Sequence, residues 1–424
     1  MPTFANISFF TALEYMKRFN SENQSTDTSY FESTSTAPYV SGNWVQPPEN
    51  TLASLRHGIS TCDGIELDLR ITADDELIIH HDSKVSIEKS LLGNANPYVE
   101  SWDLAELQEF GFCSFDELLQ DNEVISQWRD QGKMVCLELK RPHPKSPEGG
   151  GYFGGNKVTT ILSKMISKAE QMLDEYSIPN GNTVFYAFHN KMHKSVKIAD
   201  SKRHWAELLP VVPRFGHSKI KRLMAYPQYF ITPFSRLINK HRIRGASMVP
   251  CAIEYFQPFY NRALLGRSVG LSGRKLNHFR TCQKGIPVYV WPANEKYEYS
   301  LLNSGITGLT DNLDPNYTWY KNGKGARWQK PATKPLDAQQ IKLIENADYA
   351  THKDVIKQLE EEVSPWIECS TSRKRDLIKM WKSKWNWDVD VDKLVDNSSH
   401  SPPWESVRLI GHRGSGKTDR PVLQ

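Results

Sequence analysis

Glu66 and Asp68 stand two residues apart in the apolar run Gly64–Leu69, GIELDL. In an extended strand, residues i and i+2 face the same side. The spacing therefore puts two carboxylates on one face of an otherwise apolar segment, where they cannot both be buried and unpaired. A place at the strand's outer end resolves the conflict, and so does a divalent cation, since oxygen ligands suit Mg²⁺ or Ca²⁺. A salt-bridged strand end is the alternative on this pair alone. Glu138 and Lys140 repeat the spacing in MVCLELK. An acid and a cation on one face suit a metal ligand beside a phosphate contact, or a plain ion pair across a strand end.

A third signal is ELIIHHD, an apolar run that ends in His80, His81 and Asp82. Histidine exchanges a proton near neutral pH, and a strand terminus is where barrel active sites are built. The two imidazoles point in opposite directions, so at most one faces such a site, and a structural role for either is the alternative. A fourth is GHRGSGKT at 411–418, which fits the phosphate-binding pattern G-x-x-x-x-G-K-[ST]. That mechanism needs a helix directly after the glycine loop. Only DRPVLQ follows Thr418, with Pro421 inside it, which leaves a P-loop nucleotide binder as a distant reading.

These groups need elements to position them. Short apolar runs at Gly64–Leu69, Met134–Leu139, Val184–Phe188, Glu207–Val212, Ala246–Val249, Pro287–Trp291 and Gly308–Thr310 alternate with helical patterns. The clearest helix carries Val158, Ile161, Leu162, Met165, Ile166, Ala169, Met172 and Leu173 on a 3.6-residue stripe. Another begins after Pro47-Pro48 and buries Leu52, Leu55 and Ile59. Strand–helix alternation predicts a parallel α/β fold, and about eight such units close a (β/α)₈, or TIM, barrel. The count reaches eight with Val407–Ile410, taking Glu76–His81 as an extension of the strand before it. Residues 20–42 are rich in Ser, Thr and Asn and read as part of a flexible extension, 1–42. Residues 326–400 have charged helical texture with Trp366, Trp381, Trp385 and Trp387, and read as a helical appendage or spacer.

With 424 residues, 53 Lys+Arg against 49 Asp+Glu and 39% hydrophobic residues, the chain has an ordinary globular balance. That excludes collagenous, low-complexity and wholly disordered classes. A net charge of +4 with interleaved signs gives no case for nucleic acid. Six single cysteines without C-x-x-C spacing suggest reduced thiols rather than a zinc ribbon or dithiol site. No apolar run approaches the about 20 residues of a spanning helix. Met1–Phe19 has neither a basic start nor a small-residue cleavage site. A cytoplasmic location is the expectation. The basic, aromatic stretch Lys219–Arg244 reads as a solvated helical face, with membrane contact as the less favoured alternative.

Taken together, the motifs resemble the glycerophosphodiester phosphodiesterase family. The matching text is Pro48-Glu49-Asn50-Thr51, Glu66/Asp68, His81-Asp82, Glu138/Lys140, the run Val288 to Asn294 around Trp291, and Gly308-Leu309-Thr310-Asp311. Each motif is short; their order and spacing over 47–315 carry the resemblance. The His-Arg-Gly expected before Pro48 is absent there and stands instead at His412-Arg413-Gly414. The sequence looks like a circular permutation. Residues 43–325 would supply barrel strands two to eight, 326–400 would carry the chain back, and 401–424 would supply the first strand. A tandem protein cut short, or a misassembled gene, would leave the same pattern.

The resemblance implies one divalent cation, Mg²⁺ or Ca²⁺, held by Glu66, Asp68 and Glu138. It implies His412 and His81 as acid and base, and Arg413 and Lys140 as phosphate contacts. Glu49 and Asn50 would orient the Arg413 loop, and Trp291 would wall the glycerol or headgroup, or else be a core residue. Asp82 would orient His81 or cap its strand rather than bind metal. The implied reaction is hydrolysis of a small glycerophosphodiester or lysophospholipid to glycerol 3-phosphate and an alcohol. A non-catalytic barrel acting as a binding scaffold is the alternative, should the terminal motif never reach the barrel.

Overall fold

A computed structural model describes residues 38–39, 44–85, 92, 95–151, 154–212, 219–256, 269–293, 295–314, 319–320, 332–348 and 350–418. The proposed extension 1–42 lies almost wholly outside these residues, as does Asn294.

Eight parallel strands form the barrel: β1 (Gly64–Ile71), β3 (Met134–Leu139), β4 (Thr183–Ala187), β5 (His204–Glu207), β6 (Val249–Ala252), β7 (Val288–Trp291), β8 (Thr307–Thr310) and β9 (Leu409–Gly411). Their order in the sheet is β5-β4-β3-β1-β9-β8-β7-β6. The joint between β5 and β6 is made by two backbone bonds, Leu209 N to Pro250 O at 3.1 Å and Ser247 N to Trp205 O at 2.9 Å. The short β2 (Leu77–Ile79) pairs antiparallel with Leu69–Ile71 at the end of β1. Helices α1 (Leu52–Thr61), α2 (Gly155–Glu175), α3 (Met192–Ala199), α4 (Lys219–Tyr226), α5 (Phe234–Arg244), α6 (Gly273–Gln283) and α7 (Glu295–Asn303) connect the strands. The fold is a TIM barrel.

Alternation along each strand sorts its side chains. On β1, Ile65, Leu67 and Leu69 pack outward with Leu55 and Ile59 of α1 and the predicted stripe of α2, leaving Glu66 and Asp68 on the inner face. The interior below the acids is apolar, with Cys136, Val184, Ala206, Tyr289, Leu309 and Ile410 in one cluster. Two strands depart from the sequence reading. The fifth ends at Glu207 and does not extend through Val212; the sixth starts at Val249 rather than Ala246. Both flank the irregular joint, where Pro250 has no amide to donate and only its carbonyl is used.

The chain's last described strand occupies the slot between β1 and β8. Leu409, Ile410 and Gly411 pair with Gly308, Leu309 and Thr310, and Ile410 and Gly411 pair with Gly64 and Ile65. Without it the sheet would have two raw edges facing each other. Asp63 fastens the entry: its carboxylate accepts from Leu409 N at 3.0 Å and from Thr333 N at 2.9 Å. Arg408, 2% exposed, donates to the carbonyls of Pro402, Pro403, Trp404 and Ser406 and so ties the approach segment into a knot. Behind β9 lie α8 (Ala338–Asn346), α9 (His352–Glu362), α10 (Thr371–Trp385) and α11 (Val391–Asn397). Trp366, Trp381, Trp385 and Trp387 are buried in one cluster with Leu302, Val407 and Leu409. This region covers the barrel's outer face rather than standing apart from it. No described helix is long and apolar enough to cross a membrane.

Candidate active site

The carboxylates converge because β1 and β3 run parallel in a register that sets Asp68 beside Glu138. Glu66, two residues earlier, lies below Asp68 on the same face. Oxygens of the three lie within 4.8 Å of one another, and all three residues are buried. Among the described residues nothing donates a hydrogen bond to Oε1 of Glu66. Among the described residues Oδ1 of Asp68 meets only the Lys140 ammonium, at 2.8 Å. Lys140 also bonds Glu138 Oε1 at 2.5 Å. Burial, reinforced by the charges of Asp68 and Glu138, pushes Glu66 well above the usual carboxylate pKa. Burial pushes Glu138 up as well. On Asp68 burial acts the same way, but Lys140, His81 and Arg413 overcome it and hold the group well below its ordinary value. A cluster of hard oxygen donors, with one buried oxygen left unbonded, fits a divalent cation of the Mg²⁺ or Ca²⁺ type.

The end of β9 delivers the terminal motif to this cluster. The amide of Arg413 donates to Glu66 Oε2 at 2.8 Å, and that of Gly414 to Glu66 O at 3.1 Å. His412 puts Nε2 3.9 Å from Glu66 Oε2, while its Nδ1 lies 2.6 Å from Asp311 Oδ1. Arg413 clamps Glu49 with Nη1 at 2.8 and 3.1 Å and approaches Asp68 Oδ2 with Nε at 3.4 Å. Facing carboxylates raise its pKa further against the effect of burial.

Residues 48–51 hold this loop. Asn50 adopts φ 60°, a left-handed conformation that Asn tolerates well. Its side chain donates to Asp68 Oδ2 at 2.8 Å and accepts from Asp68 N at 3.2 Å, and its amide donates to Arg413 O at 3.0 Å. Thr51 then caps α1 by accepting from Ser54 N. Ser54 bonds Arg413 O and Ser415 in turn.

His81 is brought in by β2. β2 turns back on β1, and the His80 amide donates to Asp68 O at 2.9 Å. His81 Nδ1 lies 2.7 Å from Asp82 Oδ1, and its side chain is 27% exposed. Burial and the Lys140 charge hold its pKa well below that of free imidazole, against Asp68 and Asp82. Its carbonyl is gripped by Arg70, itself paired with Glu100 at 3.0 Å. His80 turns away, against Phe112 and Lys84 O. Trp291 ends β7 and meets Phe188 edge-on at 6.0 Å.

The geometry thus gathers Glu66, Asp68, Glu138, Lys140, Arg413, Glu49 and Asn50 into one bonded cluster, with His412 Nε2 3.9 Å from Glu66 and the charge of His81 acting on Asp68. Asp311 and Arg70 were missed as functional positions. The first lies within a motif quoted for its pattern alone, and nothing in the sequence says that its partner would be His412. The 411–418 segment cannot act as a phosphate cradle, because the amides that a P-loop offers to phosphate are taken. Those of 413, 417 and 418 donate to Glu66, Asp311 and Glu49, and that of 415 to Ser54. Three carboxylates at that position would repel a phosphate.

Known proteins similar to this chain include the lysophospholipase D of mouse, 24% identical over 269 residues, which cover 62% of this chain and 78% of that protein. The human lysophospholipase D is 22% identical, with the same two coverages. Among solved structures, a phosphodiesterase of Oleispira antarctica in complex with the product sn-glycerol-3-phosphate is 16% identical, with a TM-score of 0.39, and covers 64% of this chain and 90% of that one. The glycerophosphodiester phosphodiesterase of Thermotoga maritima is 15% identical, with a TM-score of 0.34, covering 57% and 78%. The pattern of the glycerophosphoryl diester phosphodiesterase family matches residues 40–314, well over half of the sequence and all of the site except the β9 loop. The chain belongs to that family of phosphodiester hydrolases.

Proposed function

We propose that the protein is a metal-dependent glycerophosphodiester phosphodiesterase that releases glycerol 3-phosphate and an alcohol. The observation that carries this reading is the oxygen cluster of Glu66, Asp68 and Glu138, with Glu66 Oε1 buried and unbonded beside His412. These three acids would hold one Mg²⁺ or Ca²⁺. Bound there, the cation supplies a Lewis acid that polarises a phosphoryl oxygen and offsets its charge.

The chain's own groups account for the rest. Arg413 and Lys140 set fixed positive charge beside the acids. Glu49 and Asn50 keep the Arg413 loop in place. Asp311 orients His412 through Nδ1, so Nε2 is the atom presented to the substrate. One histidine takes the proton of a glycerol hydroxyl as its oxygen attacks phosphorus. The other gives a proton to the departing alcohol oxygen as its bond to phosphorus breaks. The roles reverse when water opens the cyclic phosphate. His412 and His81 fill these two roles, and Trp291 walls the organic part of the substrate.

Small glycerophosphodiesters or lysophospholipids are the substrate class, and the mouse and human relatives named lysophospholipase D support that choice. All six cysteines are free thiols, which supports a reducing, cytoplasmic location. The position of β9 supports reading 401–424 as a permuted first strand, with 326–400 as the connection to it. The test is hydrolysis of glycerophosphocholine with Mg²⁺ or Ca²⁺, with and without EDTA, in wild type and His412→Ala. Metal-dependent release of glycerol 3-phosphate, lost in the variant, is expected. Absence of metal-dependent cleavage on any glycerophosphodiester would overturn the reading.

A further inference from the structure

Arg141 follows Lys140 directly at the mouth of the barrel. Its guanidinium makes a single hydrogen bond among the described residues, from Nη1 to Phe188 O at 3.2 Å. Nε is buried with no partner, while the residue as a whole keeps partial access to solvent. Among the described residues no carboxylate pairs with it. The other guanidinium groups near the mouth, Arg70, Arg244 and Arg413, each have one. Burial alone lowers its pKa, with no carboxylate charge opposing. A largely desolvated cation without a counter-charge is costly, and a planar fork with free donors is suited to a carboxylate or phosphate.

The position separates this group from the reacting centre. Lys140 reaches the acids, at 2.8 Å from Asp68 Oδ1 and 2.5 Å from Glu138 Oε1, whereas Arg141, the next residue, extends to the Phe188 carbonyl on the neighbouring strand's end. Its neighbour Phe188 packs on Trp291 at the rim. An anion at Arg141 is therefore a second one, beyond the phosphodiester. The glycerol half of a glycerophosphodiester carries no further charge, so a second anion has to sit on the alcohol.

We propose that Arg141 is a specificity residue that selects glycerophosphodiesters whose alcohol bears its own carboxylate or phosphate. The inference rests on the phosphodiesterase reading above and adds the alcohol's charge to it. Glycerophosphoserine and glycerophosphocholine separate the two, since the first carries one carboxylate more. Wild type is expected to favour glycerophosphoserine in kcat/KM. That preference should fall at least tenfold in Arg141→Gln, through KM, and stand at an intermediate value in Arg141→Lys. The same ratio in wild type and both variants would overturn the inference while leaving the phosphodiesterase reading intact. If neither diester is cleaved, calorimetry with phosphoserine as the probe decides the inference. Binding at least tenfold weaker in Arg141→Gln supports it; equal binding, or none by wild type, overturns it.

Discussion

The backbone amide of Arg413 donates to the carboxylate of Glu66 at 2.8 Å, across 347 residues of chain. One bond thus joins the barrel's first strand to its last and the acid cluster to the histidine loop. The candidate site is whole only while β9 is docked. A chain ending at Glu405 would expose the edges of β1 and β8 and lose the interior contacts of Ile410, which is fully buried. We expect such a chain to elute as aggregate and to show no cooperative thermal transition. The milder Ile410→Ala should fold with a loss of about 2–5 kcal/mol in chemical denaturation. A truncated chain with native near-ultraviolet circular dichroism would contradict the role assigned to β9.

Glu66→Gln separates stability from metal binding. The amide can keep the bond from Arg413 N but removes a charge that burial and its two acid neighbours disfavour. A raised native pKa means the folded state holds a proton more tightly than the unfolded one. The penalty is absent below the ordinary carboxylate range and grows as pH rises through the native value. At neutral pH, without divalent cation, the variant should be at least as stable as wild type. Added Mg²⁺ or Ca²⁺ should raise the wild-type Tm, by about 2.7 kcal/mol of stability at a hundredfold excess over Kd, and leave the variant's unchanged. Calorimetric melts with and without EDTA make the comparison. Equal metal responses would remove Glu66 from the ligand set.

His80 gives a pH signature outside the reacting groups. Burial, with the Arg70 charge, lowers its pKa from 6.5 to about 4. Between those values the unfolded chain binds a proton that the native state refuses, so stability rises with pH. The contribution is fully present above about 6.5 and is lost as pH falls toward about 4, amounting to about 3 kcal/mol. Denaturation midpoints in wild type and His80→Gln, followed from pH 7 to pH 4, should converge as pH drops. Parallel curves would show that the imidazole is not what titrates.

How far the sequence carried these conclusions depends on whether a residue's partner is near in the chain. The two-residue spacings of Glu66/Asp68 and Glu138/Lys140 fix a common face by strand geometry alone, and the structure joins the two pairs through adjacent strands. The stripe on α2 was legible for the same local reason. What stayed hidden depends on distant partners: Asp311 gains its meaning from His412, and Asp63 from Leu409 and Thr333. The four tryptophans between 366 and 387 sat among charges and read as a spacer, although burying so many indoles requires a surface to cover. Arg141 was passed over beside the more conspicuous Glu138 and Lys140, because a missing counter-charge cannot be seen in a sequence.

Gly58 places the terminal loop from behind. A Cβ on Gly58 would come within 2.3 Å of the Gly414 carbonyl oxygen, a backbone atom fixed by the turn. Alanine there would gain helix propensity but force α1 and the His412 loop apart. Gly58→Ala should cost about 1–3 kcal/mol and lower kcat by about tenfold or more, since sub-ångström placement governs proton transfer. Gly155→Ala in α2 meets nothing within 4 Å and serves as the control, expected to be neutral or slightly stabilising. If both behave alike, the close approach of α1 to Gly414 is not what positions the loop.

Asp311 is the last link to the chemistry. Its carboxylate lies 2.6 Å from His412 Nδ1 and also accepts the Lys417 amide at 3.1 Å. Burial alone would raise its pKa, yet the facing imidazole and that amide hold it below the ordinary value. Under the proposed mechanism the ionised group would both fix the ring and offset the charge that His412 acquires on taking a proton. Asp311→Asn keeps the size and one acceptor but removes the charge. We expect kcat to fall about 10–1,000-fold with KM changed by less than about threefold, because the Asp311 carboxylate acts through His412 Nδ1. The melting temperature should move little, since Asn can still accept from Lys417. A variant with full kcat, or one whose loss lies in KM, would show that His412 needs no carboxylate behind it.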